Sequence, residues 1–319
     1  MAPPIGPPAD ARLLPPALRH PVAHDTQRRD GPVPREAVTD LLDAVERSLG
    51  AAVPFRALVD LDVAAVEARR FKLDAQFALG VPTRTGRFSV NDKGERQAFR
   101  DRSRRLIPCG RGVLGAVLAA GGGLDVQFTV GVKAGARGPE RVSLYLEELP
   151  RGPEGASIRS RVLALGDAVP SDHPGATPAA CCVDIDADGE IVAVKDYCIF
   201  AAVEPGPHPL LGDVEAWPAH PVTGRRRFIH ARRYAPGGAL VGTKTMWMPE
   251  TQRPDDAEMA WARVEALAAP CPGPADTALA TLRAGWRHAP GAFLHPDLVS
   301  VDARAGGEPQ GTVVYVSVR

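Results

Sequence analysis

The chain has 319 residues and is 45% hydrophobic, enough to bury a sizeable core. Its 38 Lys and Arg balance 38 Asp and Glu, so no whole-chain basic excess points to nucleic acid. No apolar run approaches the roughly 20 residues of a membrane helix, and MAPPIGPPADARLLPP lacks the basic-then-apolar order of a secretory signal.

Residues 1–34 are Pro-rich and read as a disordered arm ahead of a single domain over 35–319. PREAVTDLLDAVERSLG spaces Val38, Leu41, Leu42, Val45 and Leu49 as an amphipathic helix. VPFRALVDLDV and RRFKLDAQFALGV read as a first hairpin. ERQAFRDRSRRLI is a helix with a basic face, and GVLGAVLAA a shorter one. The surrounding GRGVLGAVLAAGGG lacks the Lys-Ser/Thr of a phosphate-binding P-loop. LDVQFTVGVK and RVSLYLEEL form a second hairpin across AGARGPE, followed by the helix SIRSRVLALGDAV. ACCVDIDADGEIVAVKDYCIF turns on Asp188-Gly189, a strong hairpin signal. RFIHARRYAPGGALVGTKTMWM turns at Pro236-Gly237-Gly238. Two helices, PDDAEMAWARVEALA and ADTALATLRAGWRHA, are broken apart by Pro270, Pro272 and Pro274. LVSVDARAGGEPQGTVVYVSVR turns near Gly306-Gly307. Five hairpins give about ten antiparallel strands with helices between them, which argues against a parallel α/β fold.

The strands alternate. Val126, Phe128, Val130 and Val132 share one face, and Gln127, Thr129 and Lys133 the other. In RVSLYLEEL, Val142, Leu144 and Leu146 oppose Arg141, Ser143, Tyr145 and Glu147. Phe71, Leu73 and Ala75 likewise oppose Lys72, Asp74 and Gln76. The apolar faces belong under the helices. If ten strands close, the polar faces line a lumen and the sheet has no exposed edges.

The five cysteines show neither CxxC nor Cys/His zinc spacing and read as buried thiols of a reducing cytosol. The histidines have no metal-ligand spacing, and His230 beside Arg232 and Arg233 reads as part of a basic surface strand. Met246 and Trp247 read as core or pocket wall.

The stretch RVSLYLEEL, the helix RSRVLALGDAV and the hairpin VDIDADGEIVAVKDYCIF resemble the bacterial soluble aromatic prenyltransferases of the ABBA fold. LDAQFALGVP resembles the first core strand of that family. The resemblance is most specific over Arg141 to Phe200. It implies an α+β fold: a closed antiparallel barrel of about ten strands built from αββα units, with helices outside and a polar lumen.

The resemblance also implies a function, transfer of a prenyl group from an allylic diphosphate to an aromatic small molecule in secondary metabolism, in a cytoplasmic enzyme. Arg141, Lys195 and Lys244 would hold the diphosphate. Tyr145, Tyr197 and Tyr315 would shield the allylic cation, and Asp74 is the candidate catalytic base. Mg2+ would be the one cofactor to consider; an aspartate after the first core strand holds it in some members, and Asp92 stands nearest. The match departs from the family where Trp247 replaces a tyrosine and Gln310 a basic residue, and the chain has only four tyrosines. These departures keep open a non-catalytic barrel that binds a peptide or a pathway intermediate. One basic residue on each of three hairpins, with no carboxylate assigned beside them, predicts an anionic guest.

Overall fold

The structure is a computed structural model describing residues 71–78, 81–91, 96–106, 111–122, 126–135, 138–217, 219, 225–247, 294–307 and 309–318. The Pro-rich arm, the predicted helix near 35–49 and the predicted helix pair near 254–289 lie outside these residues. In chain order the strands are β1 (Phe71–Ala78), β2 (Val81–Asn91), β3 (Gln127–Gly135), β4 (Gly138–Glu147), β5 (Thr177–Asp186), β6 (Ile191–Val203), β7 (Pro207–His208), β8 (Gly212–Asp213), β9 (Arg226–Tyr234), β10 (Leu240–Trp247), β11 (Leu294–Arg304) and β12 (Pro309–Val318). The described helices are α1 (Arg96–Leu106), α2 (Arg111–Gly121) and α3 (Pro153–Ala164). None is long and apolar enough to cross a membrane.

Ten strands pair antiparallel in the order β1-β12-β11-β10-β9-β6-β5-β4-β3-β2, and the last pairs with the first to close a barrel. The short pair β7-β8 forms a separate excursion between β6 and β9.

The first hairpin differs from the sequence expectation. β1 pairs with β2, in the register Lys72↔Ser89 and Asp74↔Arg87, and on its other side with β12. VPFRALVDLDV is not its described partner and lies outside the described residues. The segment VPTRTGRFSVN of β2 carries Pro82 and Gly86, both poor strand residues, and its apolar alternation is confined to Phe88 and Val90. It is paired with β1 on one side and β3 on the other, with Phe88 opposite Val132 and Val90 opposite Val130.

Two described turns fall where glycine allows a positive φ. Gly189 (φ 89°) turns β5 into β6, and Gly237 and Gly238 (φ 89° and 77°) turn β9 into β10.

The apolar faces pack outward against helices. Val126, Phe128, Val130 and Val132 are buried, as are Val142, Leu144 and Leu146. Phe99 of α1 stacks on Phe128 with ring centroids 4.8 Å apart. The end of α2 lies so close to the sheet that a Cβ on Gly121 would stand 3.2 Å from both Leu146 and Phe128. In α3, Ile158, Val162 and Leu163 are fully buried, and just beyond it Gly166 lies against Val194 of β6. With this face committed to helices, the alternate residues turn into the lumen.

Candidate functional site

The registers carry the polar positions around the ring in phase. Thr129 pairs with Tyr145, Tyr145 with Cys182, Cys182 with Lys195 and Lys195 with Arg233. One step along the strands, Gln127 pairs with Glu147, Glu147 with Ala180, Ala180 with Tyr197, Tyr197 with Ala231, Ala231 with Lys244 and Lys244 with Asp302. Arg141, Tyr145, Lys195, Tyr197 and Lys244 therefore all stand on lumen-side positions.

The lumen is layered. Along β4 its residues run Arg141, Ser143, Tyr145, Glu147, and along β6 they run Lys195, Tyr197, Ile199. The charged layer centres on Asp184 of β5, which is fully buried. The Lys195 ammonium lies 2.8 Å from its Oδ1 and 2.7 Å from its Oδ2. Ser143 donates to Oδ1 at 2.6 Å, and an Arg141 nitrogen lies 3.5 Å from Oδ2. Lys244 has its own carboxylate, Asp302, at 3.1 Å.

Next come the tyrosines. The Tyr145 and Tyr197 rings stand 6.1 Å apart, tilted by 53°. Glu147 borders this layer, and its Oε2 accepts hydrogen bonds from Gln127 (3.0 Å) and Thr129 (2.9 Å). Beyond lies an apolar cluster of Ala179, Ile199, Ile229, Ala231, Met246 and Leu298, with Tyr197 packed against it.

The expectation of cations with no carboxylate beside them is corrected by this geometry. Asp184 brings Arg141 and Lys195 together, whereas Lys244 stands on Asp302 instead. Like charges sharing a partly buried interior need compensation, and the two aspartates supply it. The sequence signal for Asp184 was present in CCVDIDADG, where Cys182, Asp184 and Asp186 alternate with Cys181, Val183 and Ile185. A lone aspartate in a greasy strand announces burial but does not name its partner. Asp74 is placed by its backbone register, opposite Tyr315 on β12 and Arg87 on β2; for Asp74 and Tyr315 the structure describes the strand and not the side chain. Asp92 lies outside the described residues. Among the described residues no three His, Cys, Asp or Glu side chains gather as a metal site.

The layers are held from behind. Asp196 lies between Lys195 and Tyr197 and so points outward, under α3. There Arg159 donates to both its oxygens, at 2.6 and 2.7 Å, and to Asp172 at 2.7 Å and the Ser171 carbonyl at 2.6 Å. Both members of the Arg159–Asp196 pair are buried. This pair anchors the stretch of β6 that presents Lys195 and Tyr197 to the lumen.

His230 also corrects the sequence reading. It is only 2% exposed and belongs to the outer wall, not to a basic surface. Its Nδ1 lies 3.3 Å from the Thr245 hydroxyl, and its ring meets His173 edge-on at 6.3 Å. Burial first, then the charge of Arg232, lowers its pKa to about 4. The outward alternation of His230 in RFIHARRY was legible; the covering of that face was not. Cys181, Cys182 and Cys198 are buried thiols.

No protein-family model matches the chain, and no curated protein matches it in sequence. Solved structures do match in shape. One is 5-dimethylallyl tryptophan synthase from Streptomyces coelicolor in complex with DMASPP and Trp, at 15% identity and a TM-score of 0.63, covering 90% of this chain and 96% of that one. Another is the prenyltransferase PriB, at 16% identity and a TM-score of 0.60, covering 88% and 95%. PriB is also solved in a ternary complex with L-tryptophan and dimethylallyl thiolodiphosphate, with a TM-score of 0.59 to this chain. The chain thus has the fold of these bacterial aromatic prenyltransferases.

Two outcomes follow for the supporting wall. Asp196→Ala strands the Arg159 charge and is expected to lower stability by about 3–5 kcal/mol in chemical denaturation; a loss under about 1 kcal/mol would show that the pair does not anchor β6. His230 has its folded pKa depressed below the unfolded value of 6.5, so its contribution to stability is present above pH 6.5. That contribution is lost as pH falls from 6.5 toward 4, by about 3 kcal/mol in all. His230→Gln should flatten this part of the pH–stability profile; an unchanged profile would contradict the assignment.

Proposed function

We propose that the chain transfers a prenyl group from an allylic diphosphate to an aromatic small molecule, with the chemistry inside the barrel. The observation that carries this reading is the order of the lumen layers: cations, then a tyrosine pair, then an apolar cluster. An allylic diphosphate has the same order, with an anionic head, an allylic carbon that becomes cationic, and an apolar tail meeting an apolar acceptor.

Arg141, Lys195 and Lys244 hold the diphosphate and stabilise the negative charge that grows as the allylic C–O bond breaks. The bonding pair leaves with the diphosphate oxygen. Tyr145 and Tyr197 present ring faces to the allylic cation, and Tyr315 joins them. The acceptor lies against Ile199, Ile229 and Met246, where a ring carbon forms the new C–C bond and then loses its proton. Asp74, opposite Tyr315 in the ladder, takes that proton or orients the acceptor. The wall keeps water from the cation. No step is assigned to Mg2+, for which the described residues offer no ligand cluster. Two solved neighbours of the same fold hold a dimethylallyl diphosphate analogue together with tryptophan, which makes tryptophan and other indoles the first acceptors to try.

A second reading, a barrel that binds a ligand without turning it over, draws on Asp184 and Asp302. Each neutralises a cation that the enzyme reading assigns to the diphosphate.

Isothermal titration with dimethylallyl diphosphate, followed by turnover assays on a panel of indoles and phenols, tests the proposal. The expected result is binding that weakens with salt and by about tenfold or more in Lys195→Ala, with turnover of at least one acceptor. Binding without turnover on the panel would favour the second reading. A folded protein that binds no allylic diphosphate at millimolar concentration would overturn the first.

A further inference from the structure

We infer that Asp184, and to a lesser degree Asp302, is a built-in counter-anion that occupies the lumen's cations and limits the affinity for diphosphate. The inference rests on the diphosphate-binding reading above. Asp184 is wholly buried, and its two oxygens lie 2.8 and 2.7 Å from the Lys195 ammonium. A phosphate oxygen reaching that ammonium would bring its own negative charge within a few ångströms of the carboxylate. In an interior that screens poorly, such an approach is strongly unfavourable unless one of the three groups moves.

Asp184 is the least able to move. It sits mid-strand on β5, it is paired in register with Ser143, and the Ser143 hydroxyl grips its Oδ1 at 2.6 Å. The two cations have room. Lys195 carries its charge on a flexible stem, and the Arg141 side chain is 29% exposed, 3.5 Å from Asp184 Oδ2. A diphosphate would draw the Lys195 ammonium off Asp184, leaving the Arg141 guanidinium, with several donors, to bridge the carboxylate and a phosphate oxygen. Lys244 and Asp302 repeat the arrangement across 3.1 Å, with the lysine 22% and the aspartate 31% exposed, so solvent weakens the effect there.

The same competition acts on the product. Free diphosphate carries more negative charge than its allylic ester, so a carboxylate returning to Lys195 opposes the product more than the substrate. Asp184 thereby favours release, and the wild-type barrel is tuned for moderate affinity and not for trapping anions.

Asp184→Asn tests this directly, since the amide keeps the shape and an oxygen for Ser143 while removing the charge. Isothermal titration of wild type, Asp184→Asn and Asp302→Asn is run with two probes, inorganic diphosphate and dimethylallyl thiolodiphosphate. We expect Asp184→Asn to bind both about tenfold or more tightly, with the larger gain for inorganic diphosphate, and Asp302→Asn to gain about threefold. Wild-type binding with equal or weaker binding in both variants would overturn the counter-anion role and leave the prenyl-transfer reading standing. Binding by Asp184→Asn alone would support the role and favour the non-catalytic barrel for the wild type. If neither wild type nor variants bind either probe, both readings fail. If Asp184→Asn does not fold, Asp302→Asn decides, with unchanged affinity counting against the proposal.

Discussion

A closed ring of strands leaves no free edge, and that constraint fixes most of what the lumen can be. Side chains alternate with a period of two, so a slip of one residue in any ladder would turn that strand's polar set outward. Here the registers stay in phase from β3 to β11 through six interfaces. The apolar set buries beneath helices, as Phe128 does beneath Phe99, and the polar set has only the interior left to occupy. The Arg159–Asp196 pair reinforces the phase, because an inverted β6 would drive Asp196 into the lumen and lose its guanidinium.

Charge compensation is the second constraint. Lysine and arginine side chains facing one another across a narrow interior destabilise it unless anions intervene. This barrel has the anions within its own strands, Asp184 between Arg141 and Lys195, and Asp302 on Lys244. The lumen that results holds a set of ion pairs more than a bare cationic sink.

Much of the fold was legible because strand alternation is a local signal. RVSLYLEEL and VDIDADGEIVAVKDYCIF separate their faces by inspection, and Gly189, Gly237 and Gly238 mark turns that require a positive φ. β2 was less legible, since Pro82 and Gly86 interrupt VPTRTGRFSVN and its apolar alternation is confined to Phe88 and Val90; its two neighbours complete it. The candidate site followed the same division. That Lys195 and Tyr197 share a face was readable from spacing alone. That Lys195 would meet Asp184, 11 residues earlier on the adjacent strand, depended on register, which no single segment contains. His230 was misread for a related reason, because its arginine neighbours suggested solvent while the covering of that face was non-local.

The proposed function requires the lumen to read a ligand by layers, with anion on the Lys195 side, allylic carbon between the tyrosines and acceptor against Ile199, Ile229 and Met246. A crystal structure of the protein soaked with dimethylallyl thiolodiphosphate and tryptophan tests it most directly. The account predicts diphosphate oxygens on Lys195 and Arg141, the allylic carbon between the Tyr145 and Tyr197 rings, and the indole in the apolar layer. A diphosphate bound on the outer face, or a lumen with the head and tail of the ligand reversed, would contradict it.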